Sequence, residues 1–307
     1  MNWRLKSLQF KLLSALPGGE ALYNFIQDHV TRSTHATPLR VANKIEVGLV
    51  FWQWLLANRR TEQLVSGRLL DYGAGWHPTI PILWHAFGNE RQTLVDIKSH
   101  LTARAVRDTL RIFRDLASQP DWPGRPWLRR LPEVPSDENS SREALLAPLG
   151  IEYRAPYGRL LSERAGAYDL VLCTQVLQHV PPPALPALLQ EVHTCLRPGG
   201  LFHATIHFVG HFGDPFARGG HYEHLVPSPE HWQRRFNSRL MSFNRLKGPD
   251  YRAALERAGF ELLEFKITAP TAADLAELRR TPVHPSFQRY SEEDLAALGV
   301  FWVARKP

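Results

Sequence analysis

Leu69-Leu70-Asp71-Tyr72-Gly73-Ala74-Gly75 is followed by Leu94-Val95-Asp96, whose carboxylate lies 21 residues after the last glycine. An apolar run ending at a glycine-rich turn, then a second apolar run ending in a carboxylate, reads as the start of a nucleotide-binding βαβ unit. Glycine at the turn lets main chain approach a ligand closely, because no Cβ intervenes. The carboxylate can accept hydrogen bonds from both hydroxyls of a ribose. A dinucleotide fingerprint asks for a third glycine at position 78, where this chain has Pro78. The pattern therefore favours a ligand with a ribose and no phosphates.

Further ordered motifs lie downstream. Tyr168-Asp169-Leu170-Val171-Leu172-Cys173-Thr174 reads as a buried parallel strand and runs directly into Gln175-Val176-Leu177-Gln178-His179-Val180. A helical stretch from Ala184 to Leu196 ends at Arg197-Pro198-Gly199-Gly200, and Leu201 to Ile206 reads as another strand. The order D-x-G-x-G, V-D, Y-D-L-V, V-L-x-H-V, L-R-P-G-G-L resembles the class I S-adenosylmethionine-dependent methyltransferases. The resemblance covers roughly residues 67 to 207 and recurs weakly to the C-terminus. It implies a doubly wound, mostly parallel, seven-stranded α/β sheet (a Rossmann-like methyltransferase fold) preceded by an N-terminal helical cap. It also implies S-adenosylmethionine as cofactor.

By that resemblance, Asp71, Tyr72, Gly73, Ala74 and Gly75 pass the methionine part of the cofactor, with Asp71 holding its amino group. Asp96 would hold the ribose and Ile97 would lie against adenine. Thr174 and Gln175 stand at the carboxyl end of the fourth strand, where ligands of such sheets bind. The chain departs from the family in two places. After the third strand, where many members place an acid for adenine, it reads Ala155-Pro156-Tyr157-Gly158; main chain or a stacked Tyr157 would substitute. Some quinone-biosynthesis O-methyltransferases carry E-x-x-E-H after the fourth strand and bind a divalent cation there. This chain has Gln175, Gln178 and His179 at those places, and glutamine is a poor substitute for carboxylate toward a hard cation, so no metal is expected. An imidazole suits removal of the proton that an attacking hydroxyl or amine must lose. The candidate bases are His179, His207, His211, His221 and His224. Asn244 and Arg245 are candidate anchors for an anionic acceptor.

Residues 1–66 read as a helical cap and 67–307 as the methyltransferase domain, with insertions near 119–141 and 208–249. Strands are expected at 68–71, 93–96, 151–154, 169–174, 201–206, 260–267 and 298–304, the last two as an antiparallel edge hairpin. Helices are expected from about 79, over 99–117 and over 250–258. The 119–141 stretch is rich in proline and polar residues and holds Trp122 and Trp127, which suggests a lid or partner contact. Phe51, Trp52 and Trp54 in the cap suggest an enclosed, partly apolar acceptor pocket.

The 307 residues are 44% hydrophobic and carry a net charge of +7. That content excludes a disordered chain. The basic balance admits a nucleic-acid partner, but no N-P-P-Y-type motif for base amines follows the fourth strand, so a small-molecule acceptor is the leading expectation. A nucleic-acid or protein methyltransferase, and a catalytically silent binding protein of this fold, are the alternatives. Two lone cysteines, Cys173 and Cys195, fit a reducing, cytoplasmic compartment. No segment reaches the roughly 20 apolar residues of a spanning helix. Residues 1–16 alternate apolar and basic residues at helical spacing, which suits packing on the protein's own core, with weak membrane-surface contact as the other use.

Overall fold

A computed structural model describes residues 10–31, 34–157, 165–209, 220–238 and 240–307. Seven strands are hydrogen-bonded into one sheet: β1 (Leu69–Tyr72), β2 (Gln92–Val95), β3 (Ile151–Arg154), β4 (Tyr168–Thr174), β5 (Leu196–His207), β6 (Glu261–Thr268) and β7 (Gly299–Arg305), in the order β3-β2-β1-β4-β5-β7-β6. β1 runs parallel to β2 and to β4, β2 runs parallel to β3, and β6 and β7 are antiparallel. The order reverses direction between β1 and β4, the switch point at which such sheets open a crevice. All seven strands fall where the sequence placed them, and β3 matches to the residue.

The chain divides into two compact units. One holds β1 and comprises residues 34–173, 194–203 and 306–307; the other holds β7 and comprises residues 1–33, 174–193 and 204–305. The N-terminal stretch 1–66 is thus shared between the units at residues 33 and 34.

In the β1 unit, α1 (Pro38–Ala57) presents Val41, Ile45, Gly48, Leu49, Trp52 and Leu55 on one buried face, the spacing of a 3.6-residue period. Thr37 caps its first turn by accepting from the Arg40 amide. Gly48 lets α1 close onto α2 (Thr79–Ala86): a Cβ there would meet the Leu83 side chain at 2.6 Å. Phe51 is fully buried and stacks on His203 with ring centroids 4.1 Å apart. Phe51 and Trp52 therefore fill the core of their own unit rather than line a pocket.

The same correction applies to 119–141. Trp122 is buried and packs edge-on against Phe113, which belongs to α3 (Ala103–Ala117), and tilted against Phe87. Trp127 packs edge-on against Trp52 and Phe87. The two indoles pin a proline-rich loop to the core; they are not a lid surface. β5 begins five residues earlier than expected because the glycines that read as a turn are paired: Gly199 donates to the Lys306 carbonyl at 2.8 Å and Lys306 donates to the Gly200 carbonyl at 3.0 Å.

In the β7 unit two apolar clusters support the loops. Phe10, Trp232, Phe236 and Phe243 form one; Tyr222, Leu225, Leu278, Phe287, Tyr290 and Ala296 form the other. Residues 10–15 are helical and Phe10 is their inward anchor, whereas Leu12 and Leu16 are exposed. Residues 1–9 of that expected helix lie outside the described residues. Among the described residues no helix is long and apolar enough to cross a membrane.

If Trp122 is core and not lid, its truncation must cost stability. Trp122→Ala is expected to lower the unfolding free energy by about 3–5 kcal/mol, read from the midpoint of a denaturant titration. A midpoint equal to the wild type would return the loop to a surface role.

Candidate functional site

The β1 unit builds a tight turn between two parallel strands. β1 and β2 pair in register, Asp71 opposite Leu94 and Tyr72 opposite Val95. The chain leaving β1 stays on that register, since Gly73 and Ala74 both donate to the Val95 carbonyl. Gly73 and Gly75 have φ of +88° and +66°, a left-handed conformation that side-chain-bearing residues rarely adopt. A Cβ on Gly75 would have no neighbour nearer than the Gly73 carbonyl at 3.9 Å, so the space over the turn is open. The Gly75 amide donates to Asp96 Oδ2 at 2.8 Å, and the Lys98 amide donates to Asp96 Oδ1 at 3.1 Å. Asp96 is half-buried, and each of its oxygens keeps a further lone pair for a ligand. It is not a helix cap: α3 starts at Ala103 and is capped by Thr102.

Further side chains surround this turn. Ile97, next to Asp96, is 69% exposed. The Tyr157 amide donates to the Asp96 carbonyl at 2.8 Å, and the Tyr157 ring meets Tyr72 edge-on. Trp76 stacks on His100 at 4.1 Å, which ties the loop after β1 to the loop after β2. The sequence reading missed this pair, because an isolated Trp and an isolated His carry no spacing signal.

Asp71 is buried, and burial pushes its carboxyl up to about 7; the Lys44 ammonium from α1 opposes this and Asp96 adds to it. Burial in turn holds the Lys44 amine below its ordinary value, while Asp71 pulls it back. A cation and a carboxylate share one desolvated place behind the glycine turn. Nothing in the spacing of Lys44, one cation on a mixed helix, announced this.

The β7 unit holds the residues that follow β4 and β5. Gln175 has φ of +60°, a strained conformation for a non-glycine residue. It is pinned by its amide to the Thr205 carbonyl at 2.8 Å, and its Nε2 lies 2.9 Å from His207 Nε2. His207 is exposed and Thr174 half-buried. The Gln178 side chain is buried, and neither its oxygen nor its nitrogen has a hydrogen-bond partner among the described residues. Leu177–His179 form a single 3₁₀ turn. His179 Nδ1 donates to the Ser242 carbonyl at 2.6 Å, and burial lowers the His179 pKa from its ordinary value, with the Ser242 bond opposing. Its tautomer is thereby set, with the proton on Nδ1 and the lone pair on Nε2.

The other expected residues are employed differently. His224 is buried with its ring edge-on to Phe243, which removes it from the candidate bases, since no acceptor reaches a core side chain. His221 Nδ1 sits 3.1 Å from Asp274 Oδ1 and its main-chain amide donates to Glu277. Through Asp274, which also accepts from Thr271, it braces the first turn of the helix Ala272–Arg280. His211 lies outside the described residues. Asn244 spends its side-chain amide on the Leu177 and Val180 carbonyls. The Arg245 guanidinium is buried, donates to the His224 and Pro227 carbonyls, and lies over the Trp232 and Phe287 rings. Both expected anion anchors are therefore structural. Among the described residues no group of three or more His, Cys, Asp or Glu side chains is arranged to hold a metal ion.

Comparison with known proteins follows the same lines. The family described as "Methyltransferase domain" matches residues 51–264. The ubiquinone biosynthesis O-methyltransferase of Acinetobacter baylyi is 43% identical over 58 residues, 18% of this chain and 24% of that protein. Its namesake from Bordetella avium is 40% identical over 58 residues, 18% of this chain and 23% of that protein. The chain thus spans about a quarter of the length of the curated relatives it matches. Among solved structures, an S-adenosylmethionine-dependent methyltransferase from Mesorhizobium loti is similar over 79% of this chain and 92% of that one, at 19% identity and a TM-score of 0.44. With the family match spanning well over half of its residues, this chain belongs to the methyltransferase-domain family, the S-adenosylmethionine-dependent class that its ordered motifs resemble.

Proposed function

We propose that this protein transfers a methyl group from S-adenosylmethionine to an oxygen or nitrogen of a small-molecule acceptor by in-line displacement. The observation that carries the reading is the glycine turn closed by the Gly75–Asp96 hydrogen bond: it leaves room for a ribose, offers a carboxylate to its hydroxyls and supplies no phosphate cradle. When bound, the cofactor supplies a sulfonium methyl that is already electrophilic. The protein's share is then alignment, worth about 7–11 kcal/mol in favourable cases, and proton removal, worth about 10²- to 10⁴-fold.

Asp71 and Asp96 would hold the two ends of the cofactor, the ammonium and the ribose, and exposed Ile97 would lie against adenine. Gly73, Gly75, Tyr72 and Ala74 would pass the methionine part. Of the histidines, His179 is the best-prepared base: its Nδ1 is committed to the Ser242 carbonyl and burial keeps the ring neutral near pH 7, so Nε2 can accept the acceptor's proton. His207, partnered by Gln175, is the second candidate, and His221 a more remote one because Asp274 employs it. The curated relatives are O-methyltransferases by name, which favours oxygen over nitrogen. Cys173 and Cys195, both buried and in no disulfide, favour a reducing, cytoplasmic setting.

The test is incubation with methyl-labelled S-adenosylmethionine and fractionated extract. Label is expected in the low-mass fraction. Label in the nucleic-acid or protein fraction, with uptake falling steeply as salt rises, would replace this reading with the macromolecular one.

Two predictions bear on the cofactor. Asp96→Ala removes both the ribose partner and the tie to Gly75, so affinity for S-adenosylhomocysteine is expected to fall by about 10²-fold or more. Calorimetry returning near-wild-type affinity would remove the cofactor from this turn. Asp71 has a raised pKa, so its sign is the reverse of an ion-paired acid: the stability is full below the unfolded value near 3.8 and is lost as pH rises through about 7. Asp71→Asn should therefore be more stable than the wild type above pH 7, by up to about 4 kcal/mol, and indistinguishable at pH 4. Cofactor affinity should rise between pH 6 and 8 in the wild type, as the carboxylate forms, and stay flat in Asp71→Asn.

A further inference from the structure

The 3₁₀ turn that carries His179 is only three residues long, too short to satisfy its own main chain. One side chain from elsewhere in the β7 unit completes it. Asn244 Nδ2 donates to the Leu177 carbonyl at 2.8 Å and to the Val180 carbonyl at 2.9 Å, and the Asn244 amide donates to the Gln178 carbonyl at 2.8 Å. Asn244 Oδ1 accepts from the Leu246 amide at 3.0 Å and from the Tyr251 hydroxyl at 3.1 Å. A main-chain amide can only donate, so the Leu246 bond fixes which end of the side chain is oxygen. Both donors and both lone pairs of the side chain are then used, in one orientation.

Two residues earlier on the same segment, the Ser242 carbonyl receives His179 Nδ1. Between them, Phe243 is buried, its amide donating to Asn237 Oδ1 and its carbonyl accepting from Trp232 Nε1. Ser242-Phe243-Asn244 is therefore a rigid strut that grips the turn on both sides of His179: three bonds to its main chain and one to its imidazole. A carbonyl moved out of hydrogen-bond reach, beyond about 3.5 Å, no longer selects one tautomer, and a histidine freed from it reverts to the form with the proton on Nε2, which has no lone pair at that nitrogen.

We propose that Asn244 is a positioning residue for methyl transfer, acting through His179 by holding the Ser242 carbonyl against Nδ1 so that Nε2 stays the basic nitrogen. This rests on the reading of His179 as base. It does not make Asn244 a ligand for the acceptor, because its polar atoms are already spent.

The experiment pairs a spectroscopic readout with a double-mutant cycle. Histidine side-chain NMR of the wild type should show His179 with its proton on Nδ1; Asn244→Ala, and Asn244→Asp, which keeps the shape and the accepting oxygen but loses both donors, should shift it toward the Nε2-protonated form. With the acceptor fraction that takes up label, each variant should lose kcat by roughly 10²-fold with KM for S-adenosylmethionine unchanged. Added to His179→Gln, neither should cause further loss. An unaltered tautomer in both variants, or losses that multiply with His179→Gln, would overturn the role of Asn244. Full activity of His179→Gln alone would instead overturn the base, while the tautomer measurement still judges the strut. If Asn244→Ala does not fold, by thermal unfolding, Asn244→Asp carries both readouts.

Discussion

The hydrogen bond from the Gly75 amide to Asp96 Oδ2, 2.8 Å long, is the constraint on which the rest turns. It joins the chain leaving β1 to the chain leaving β2, and it is possible only because the strands are parallel and in register. Gly73 and Gly75 take left-handed φ to reach it, and a Cβ at either position would oppose that conformation. The bond also decides what the turn can hold. It turns the last free amide of the glycine loop toward a carboxylate, and an amide so engaged is withdrawn from any phosphate. A helix N-terminus with free amides cradles anions; this turn, backed by Asp71 and Asp96, presents acidity to a cation.

Asp71 sharpens the point. A carboxyl pushed up to about 7 by burial gains from any ligand that brings positive charge, because ionising it then costs less. Lys44 supplies part of that charge from within the protein, and in doing so competes with an incoming ammonium. On the proposed reading, a zwitterionic amino-acid end, carrying one charge of each sign, would meet both groups.

The strands at 69–72 and 168–174 were legible because buried parallel strands are apolar runs bounded by glycine, proline or polar residues, whereas β3 alternates, with Ile151 buried and Glu152 exposed. The early start of β5 was not, because Arg197-Pro198-Gly199-Gly200 has the composition of a turn and its partner, Lys306, is more than a hundred residues away. Trp122 and Trp127 misled for a related reason: proline density announces a loop, but the depth to which an indole reaches from it is set by Phe87 and Phe113. The glycine turn and Asp96 were readable from spacing alone. Lys44, Trp76 and His100 were not, since each is a single residue whose meaning lies in what faces it.

The histidines show the limit most plainly. Counting them offers five equivalent bases; geometry separates them by what each nitrogen already does. His224 is buried against Phe243, His221 braces an acid, and His179 donates one nitrogen to the Ser242 carbonyl. The same applies to Asn244, which the sequence marks as an anchor for an anionic acceptor and the fold employs on main chain. A three-residue turn creates unsatisfied carbonyls, and satisfying them requires donors from outside it; the fold supplies them through one amide whose every valence is used. On the proposed reading of His179 as base, the imidazole is thus held by bonds that carry no charge, and a carboxylate partner in place of the Ser242 carbonyl would have favoured the imidazolium and removed the lone pair that proton transfer needs.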